Sequence, residues 1–306
     1  MVLLSLFAAA APSAAAGPRD TMLVSPAWLN EHLKDPDLVL LHVGDRAEYA
    51  KAHLPGARLF GAEDVTAPMD HATMKPTDLH VELPTMSVLR DHLAAVGISN
   101  SSKIVVYFSN TDAVISATRV VWTLDYAGLG SNTALLDGGM PAWLRDGHPT
   151  TTDVPAAKPG ALAPLKPTGT VVQAAFMTAN AKKPGVVLVD ARDPAFYDGV
   201  QSSNGKRQPL QFGHIPGAVN IPYTSMFDDA GALLPTDSLQ AIFTHAGIKP
   251  TDTVVAYCHI GLQATVVLFV ARSLGHKTML YDGSMNDWTN RQLPLDAPAK
   301  KAAGGS

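Results

Sequence analysis

The chain has 306 residues, 46% of them hydrophobic and 16% charged, a balance that suits two globular domains better than one. Its formal charge of −4 and the lack of a long basic run exclude an electrostatic footprint for nucleic acid. One cysteine excludes an internal disulfide framework and any CxxC site, and the eleven histidines fall into no HxxxH or HExxH spacing, so neither a metal nor another cofactor is expected.

The chain opens with an apolar run and small residues, MVLLSLFAAAAPSAAAG. Residues 1–16 have the h-region and A-x-A site of an export signal, with Ala14-Ala15-Ala16 before Gly17 as the cut. No Lys or Arg precedes the run, so an Ala-rich extension is the other reading. The first implies a periplasmic or secreted protein, the second a cytoplasmic one. The run is too short to span a bilayer, and no membrane partner is expected.

Between residues 22 and 150 four blocks stand out: LVLLHVGDRAEY (38–49), AHLPGARLF (52–60), KIVVYFSNTDA (103–113) and LLDGGMPAW (135–143). Residues 151–170 are rich in Pro, Ala and Gly and have the composition of a semi-extended linker. From 171 to 296 the four blocks return in order as GVVLVDARDPAFY (185–197), GHIPGAVNI (213–221), TVVAYCHIGLQ (253–263) and LYDGSMNDW (280–288). Most of the mismatch is one insertion at 199–209. A duplicated domain is the economical reading. Residues 297–306 have nothing to bury and form a tail.

Short Val/Ile/Leu strands alternate with helical stretches such as 236–247 and 264–275, with Gly247 and Gly275 placed as helix C-caps. The fold class is therefore α/β: two tandem domains, each a mainly parallel sheet with helices on both faces. Ligands of such sheets bind beyond the carboxyl ends of the strands, which draws attention to the loop after the strand TVVAY. There Cys258-His259-Ile260-Gly261-Leu262-Gln263 turns into a helix. A free cysteine is commonly a small buried hydrophobe. At a strand–loop–helix junction, backbone N–H groups and the helix dipole instead favour the thiolate and make Cys258 a candidate nucleophile. Gly261 lets the loop close, and Gln263 is placed to hydrogen-bond the sulfur or the loop.

The DAR (190–192), GHIPGA (213–218), YC (257–258) and YDGSMNDW (281–288) blocks, over about residues 22–295, resemble the rhodanese family of tandem-domain sulfurtransferases. The resemblance implies a Cys258 persulfide that moves sulfane sulfur from thiosulfate to cyanide or a thiol. A 3-mercaptopyruvate donor is the alternative, and a non-enzymatic sulfur carrier is an alternative of another class. It implies a small anionic donor held by Arg192, which resembles the family's active-site arginine, with His259 as a second positive partner. Ile260, Gly261, Leu262 and Gln263 complete the expected substrate-binding loop. Arg192 has a structural reading as well, an ion pair with Asp190 or Asp193. Lys206 and Arg207 either face the site or lie in a solvated loop.

The His-Ile after the cysteine matches neither the basic loop of thiosulfate-specific members nor the Gly-Ser of mercaptopyruvate-specific ones. Gln263 stands where a threonine is common, and Phe196-Tyr197 stand where a second arginine is frequent. The first copy is expected to be inactive, with Ser109 at the cysteine position and Gly44 in place of Arg192. A Ser109 hydrolase lacks a GxSxG elbow. A cysteine phosphatase or arsenate reductase needs an arginine closing the loop, and none occurs after Cys258 before Arg272. Because they recur in both copies, His53/His214, Asp137/Asp282 and Trp143/Trp288 read as turn, capping and packing residues. A monomer is expected.

Overall fold

The computed structural model describes residues 17–69, 72–75, 77–156, 158–207 and 209–297. The segment 1–16 read as an export signal, and the tail from 298, lie outside these residues. Strands β1 (Leu23–Val24), β2 (Leu38–Val43), β3 (Arg58–Leu59), β4 (Lys103–Phe108) and β5 (Thr133–Leu136) form one sheet in the order β1-β5-β4-β2-β3. Strands β6 (Val171–Val172), β7 (Val186–Asp190), β8 (Val219–Asn220), β9 (Thr253–Tyr257) and β10 (Lys277–Tyr281) repeat that order as β6-β10-β9-β7-β8. Every pairing between these strands is parallel.

The inner strands are apolar along most of their length because both of their faces are covered. In β9, Val255 and Tyr257 point to one apolar layer with Leu188, Tyr281 and Trp288, while Val254 and Ala256 point to the other, continued by Cys258. That other layer extends into the first domain through Val106, Phe108 and the helix Val114–Tyr126, so the two domains share one apolar core in addition to an outer core each. At its centre the helices Val114–Tyr126 and Gln263–Ser273 pack together, with the Thr118 and Thr265 hydroxyls 3.0 Å apart. Both helices end on a left-handed glycine, Gly128 and Gly275, which makes Thr118 and Thr265 equivalent positions on a pseudo-twofold axis.

Between the domains, Leu162 and Leu165 pack against the shared core and Ala161 and Ala163 hydrogen-bond the 99–100 turn. The chain there is tied to the first domain as it crosses to the second.

Candidate active site

Strand β9 is central in its sheet, so the loop after it is flanked by the ends of β7 and β10. Each neighbour contributes to it. From beyond β10, Ser284 accepts the Cys258 N–H at 3.1 Å and donates its own hydroxyl to the Tyr281 carbonyl at 2.9 Å. The Cys258 and His259 carbonyls accept from Met285 and Asn286, each at 3.0 Å. On the opposite side, the Tyr257 hydroxyl accepts from Ile215 N–H at 3.0 Å, which locks the GHIPGA block under the loop. Cys258 is fully buried.

The helix begins at Gln263, and its N-cap, Leu262, offers no side-chain cap. The positive end of the helix dipole is thus left to the loop that carries the thiol. Gly261 has φ +84°, and a Cβ there would fall 2.7 Å from the Asp282 carbonyl oxygen, so both conformation and space require glycine. Ile260 and Leu262 lie beside it, Leu262 half-buried and Ile260 likewise. The Gln263 side-chain oxygen is buried and makes no hydrogen bond within the described residues.

Arg192, beyond the end of β7, is fully buried and pairs with the equally buried Asp190: Nη2 to Oδ2 at 2.6 Å and Nε to Oδ1 at 2.9 Å. Of the two structural partners expected, Asp190 is the one used; the Asp193 carboxylate caps the helix Pro194–Tyr197 instead. Nη1 donates to Ser203 and Nη2 to the Gly213 carbonyl. Ser203 belongs to the insertion peculiar to the second copy, so the insertion braces the arginine. Burial opposes the guanidinium charge, yet the bond and charge of Asp190, with Tyr257 and Cys258 nearby, leave its pKa raised. The result is a fixed cation next to the sulfur.

His259 lies edge-on to Phe196 at 4.5 Å. Burial first, and then the charge of Arg192, lower its pKa to about 4 against a smaller opposing effect of Asp190. The imidazole is neutral at pH 7, in contrast to the second positive partner expected at this position; it offers a polar N–H or lone pair and no charge. Lys206 is exposed, and the Arg207 guanidinium bonds Asn290.

Strand register corrects one expectation. The Tyr107 hydroxyl accepts from Leu54 N–H just as that of Tyr257 does from Ile215, and His42↔Tyr107 pairing matches Asp190↔Tyr257. The counterpart of Cys258 is therefore Phe108, and Ser109 corresponds to His259. Ser109 donates to the Glu48 carboxylate at 2.7 Å. Gly44 does stand in for Arg192, and His42 stands in for Asp190, so the first copy lacks both charges of the buried pair.

A second correction concerns Asp282. Trp143 and Trp288 do serve the same packing role, each donating to a proline carbonyl. Asp282 does more than cap: it forms an ion pair with Arg119 of the first domain and accepts from Leu83 N–H. Arg119 and Ser203 lie outside the repeated blocks, and Ser284 lies within YDGSMNDW without a role read for it. A lone arginine inside the apolar stretch ATRVVWTL was the available signal for the first of them, since a cation there needs a buried partner.

The segment 77–83 of the first domain covers this corner, with Thr77 O, His80 N and Leu83 N bonded to Asn290, Asn286 and Asp282. Within it the Glu82 Oε1 is buried without a hydrogen bond among the described residues. Burial, then Asp282, and more weakly Asp287, raise its pKa to about 7 against the opposing charge of Arg119. A carboxyl raised from 4.5 binds its proton more tightly when folded, so its contribution is full below about pH 4.5 and is lost as pH rises through 7. Glu82→Gln should be more stable than the parent above pH 8, by about 1–2 kcal/mol once solvent screening of the half-buried carboxyl is allowed for. The difference should grow from pH 5 to 8.5 in urea titrations; parallel pH curves for the two proteins would refute it.

The rhodanese-like domain family matches twice, over residues 25–146 and 174–291. The chain is 29% identical to the thiosulfate/3-mercaptopyruvate sulfurtransferase 1, mitochondrial, of Arabidopsis thaliana, over 90% of this chain and 78% of that one. It is 28% identical to a thiosulfate sulfurtransferase of Rattus norvegicus, over 89% and 93%. Among solved structures, the anaerobic ergothioneine biosynthesis enzyme of Chlorobium limicola superposes with a TM-score of 0.78 at 20% identity, over 92% of this chain and 71% of that one. At that identity the likeness is one of fold.

Proposed function

This chain belongs to the rhodanese-like domain family, and on that premise we propose that it moves the sulfane sulfur of thiosulfate to cyanide or a thiol through a persulfide on Cys258. The observation that carries this reading is the asymmetry of the two copies. One closes its central strand with a thiol at a helix N-terminus beside a buried arginine; the other has Phe108 and Gly44 at those places. Relatives named as sulfurtransferases, matched over most of both chains, support the reaction class.

The chemistry is redox-neutral. The Cys258 thiolate attacks the outer sulfur of thiosulfate, the S–S bond breaks, and sulfite leaves with the electron pair. Cyanide or a thiolate then attacks the outer sulfur of the persulfide, and the Cys258 thiolate returns. Both the thiolate and the persulfide are anions, which the helix dipole and the Arg192 charge favour. Neutral His259 adds no repulsive or attractive charge to the donor. Cys258 has no exposed surface, so the donor reaches it only by displacing what covers the sulfur.

Intact-mass measurement after exposure to thiosulfate, and separately to 3-mercaptopyruvate, tests this. The expected result is a gain of one sulfur atom with thiosulfate, lost again on adding cyanide. Loading by 3-mercaptopyruvate alone would replace the donor, and loading by neither would put the sulfur-carrier reading in its place.

A further inference from the structure

The two domains meet on equivalent helices, and their symmetry holds at Thr118 and Thr265. It breaks at the next residue, where Arg119 has a role that its counterpart Val266 has no means to fill. We propose that Arg119, supplied by the first domain, is a positioning residue for the Cys258 loop, so that the first domain completes the active site of the second. The proposal rests on Cys258 being the reactive group.

Arg119 is fully buried. Its Nη1 donates to the Gly261 carbonyl at 3.3 Å and to Asp282 Oδ1 at 2.5 Å; its Nη2 donates to the Val81 carbonyl at 2.7 Å and to Asp282 Oδ2 at 3.4 Å. The guanidinium carbon lies 5.6 Å from the centre of the Trp122 ring, within cation–π range. One planar group therefore joins the middle of the Cys258 loop, the residue beyond β10 and the covering segment of the first domain. Only a fork of donors makes those contacts together, and lysine lacks that geometry.

The Gly261 carbonyl is the informative contact. In a trans peptide the carbonyl and the N–H of the next residue point in opposite directions. Drawing the Gly261 oxygen toward Arg119 therefore turns the Leu262 N–H away from Arg119 and fixes the orientation of that peptide in the loop. Val81 makes its own contact at φ +62°, a left-handed conformation that a β-branched residue adopts only when its surroundings require it. A different interdomain pair, Arg272 with Asp125 at 2.6 Å, is partly exposed and makes no hydrogen bond or ion pair to the loop among the described residues, so it serves as the control for simple domain adhesion.

The test compares Arg119→Met, Arg119→Lys and Asp125→Asn in the full chain. Three quantities are read: thermal midpoint, rate of sulfur loading at saturating thiosulfate, and the pH profile of Cys258 alkylation by iodoacetamide. Arg119→Met should slow loading about 10- to 100-fold with little change in half-saturation. Its alkylation midpoint should rise by about one pH unit. Arg119→Lys, which keeps the charge and the fold, should recover the alkylation midpoint but only part of the loading rate. Asp125→Asn should lower the thermal midpoint and leave loading and alkylation unchanged.

The proposal is overturned if folded Arg119→Lys loads sulfur at the parental rate, or if Asp125→Asn reproduces the loading defect. Should Arg119→Met fail to fold, the lysine variant decides alone. If the parent protein takes up no sulfur, the sulfurtransferase reading fails, while the alkylation profiles still decide the role of Arg119.

Discussion

Cys258→Ser should reduce sulfur transfer to background, a loss on the order of 10⁴-fold or more, as expected when the only nucleophile of a covalent mechanism is removed. A serine oxygen cannot hold the transferred sulfur as a persulfide, and its hydroxyl stays protonated where a thiol ionises. The substitution is nearly isosteric at a fully buried position, so the loop bonds from Ser284, Met285 and Asn286 have no reason to change. Thiocyanate formation and sulfur uptake by intact mass should therefore both fall to zero in a protein with close to parental thermal stability. Ser109→Ala should leave transfer within about two-fold, because Ser109 is bonded to Glu48 and does not occupy the cysteine position. Retained sulfur loading by Cys258→Ser, or its loss in Ser109→Ala, would overturn the assignment.

The duplication was legible in sequence because each block carries a backbone requirement that the other copy shares: a strand end, a turn or a helix start. Both copies keep HxPGA because both pin a tyrosine hydroxyl to that turn, at Leu54 and Ile215. Cys258 and Arg192 were readable as neighbours because they come just after adjacent parallel strands, β9 and β7.

Ser109 was misplaced for a local reason. Eleven positions separate Tyr107 from Thr118, but eight separate Tyr257 from Thr265, and the extra length in the first copy forms the short turn Thr111–Ala113. In that stretch the polar pair Ser109-Asn110 looks like Cys258-His259, and only the strand register shows the slip. The neutrality of His259 was invisible for another reason: its burial and its distance from Arg192 belong to the packed state. Arg119 and Asp282 lie 163 residues apart, and periodicity on one helix says nothing about such a partner.

The buried pair of Asp190 and Arg192 gives the second large effect, in which stability and chemistry separate. Arg192→Ala should lower unfolding free energy by about 3–5 kcal/mol, because it strands the fully buried Asp190 carboxylate. It should also lower transfer about 10²- to 10³-fold, through loss of the fixed charge beside the sulfur. The first copy shows how a domain lives without this pair: His42 and Gly44 replace both members, and the His42 ring bonds the Tyr107 hydroxyl at 2.7 Å. In that copy no charge is left behind. The double variant Asp190→His/Arg192→Gly imports the same solution under Tyr257, whose hydroxyl stands where that of Tyr107 does. It should regain at least about half of the stability lost by Arg192→Ala in urea titrations, since no unpaired buried charge remains. Transfer should stay at the level of the single variant, since the guanidinium is still missing. If the double variant is as unstable as Arg192→Ala, the pair's desolvation is not what sets the cost. If it regains transfer, Arg192 holds the fold and contributes nothing to sulfur chemistry. Only recovery of stability without recovery of rate is consistent with a buried ion pair that this domain retains for the anion next to it.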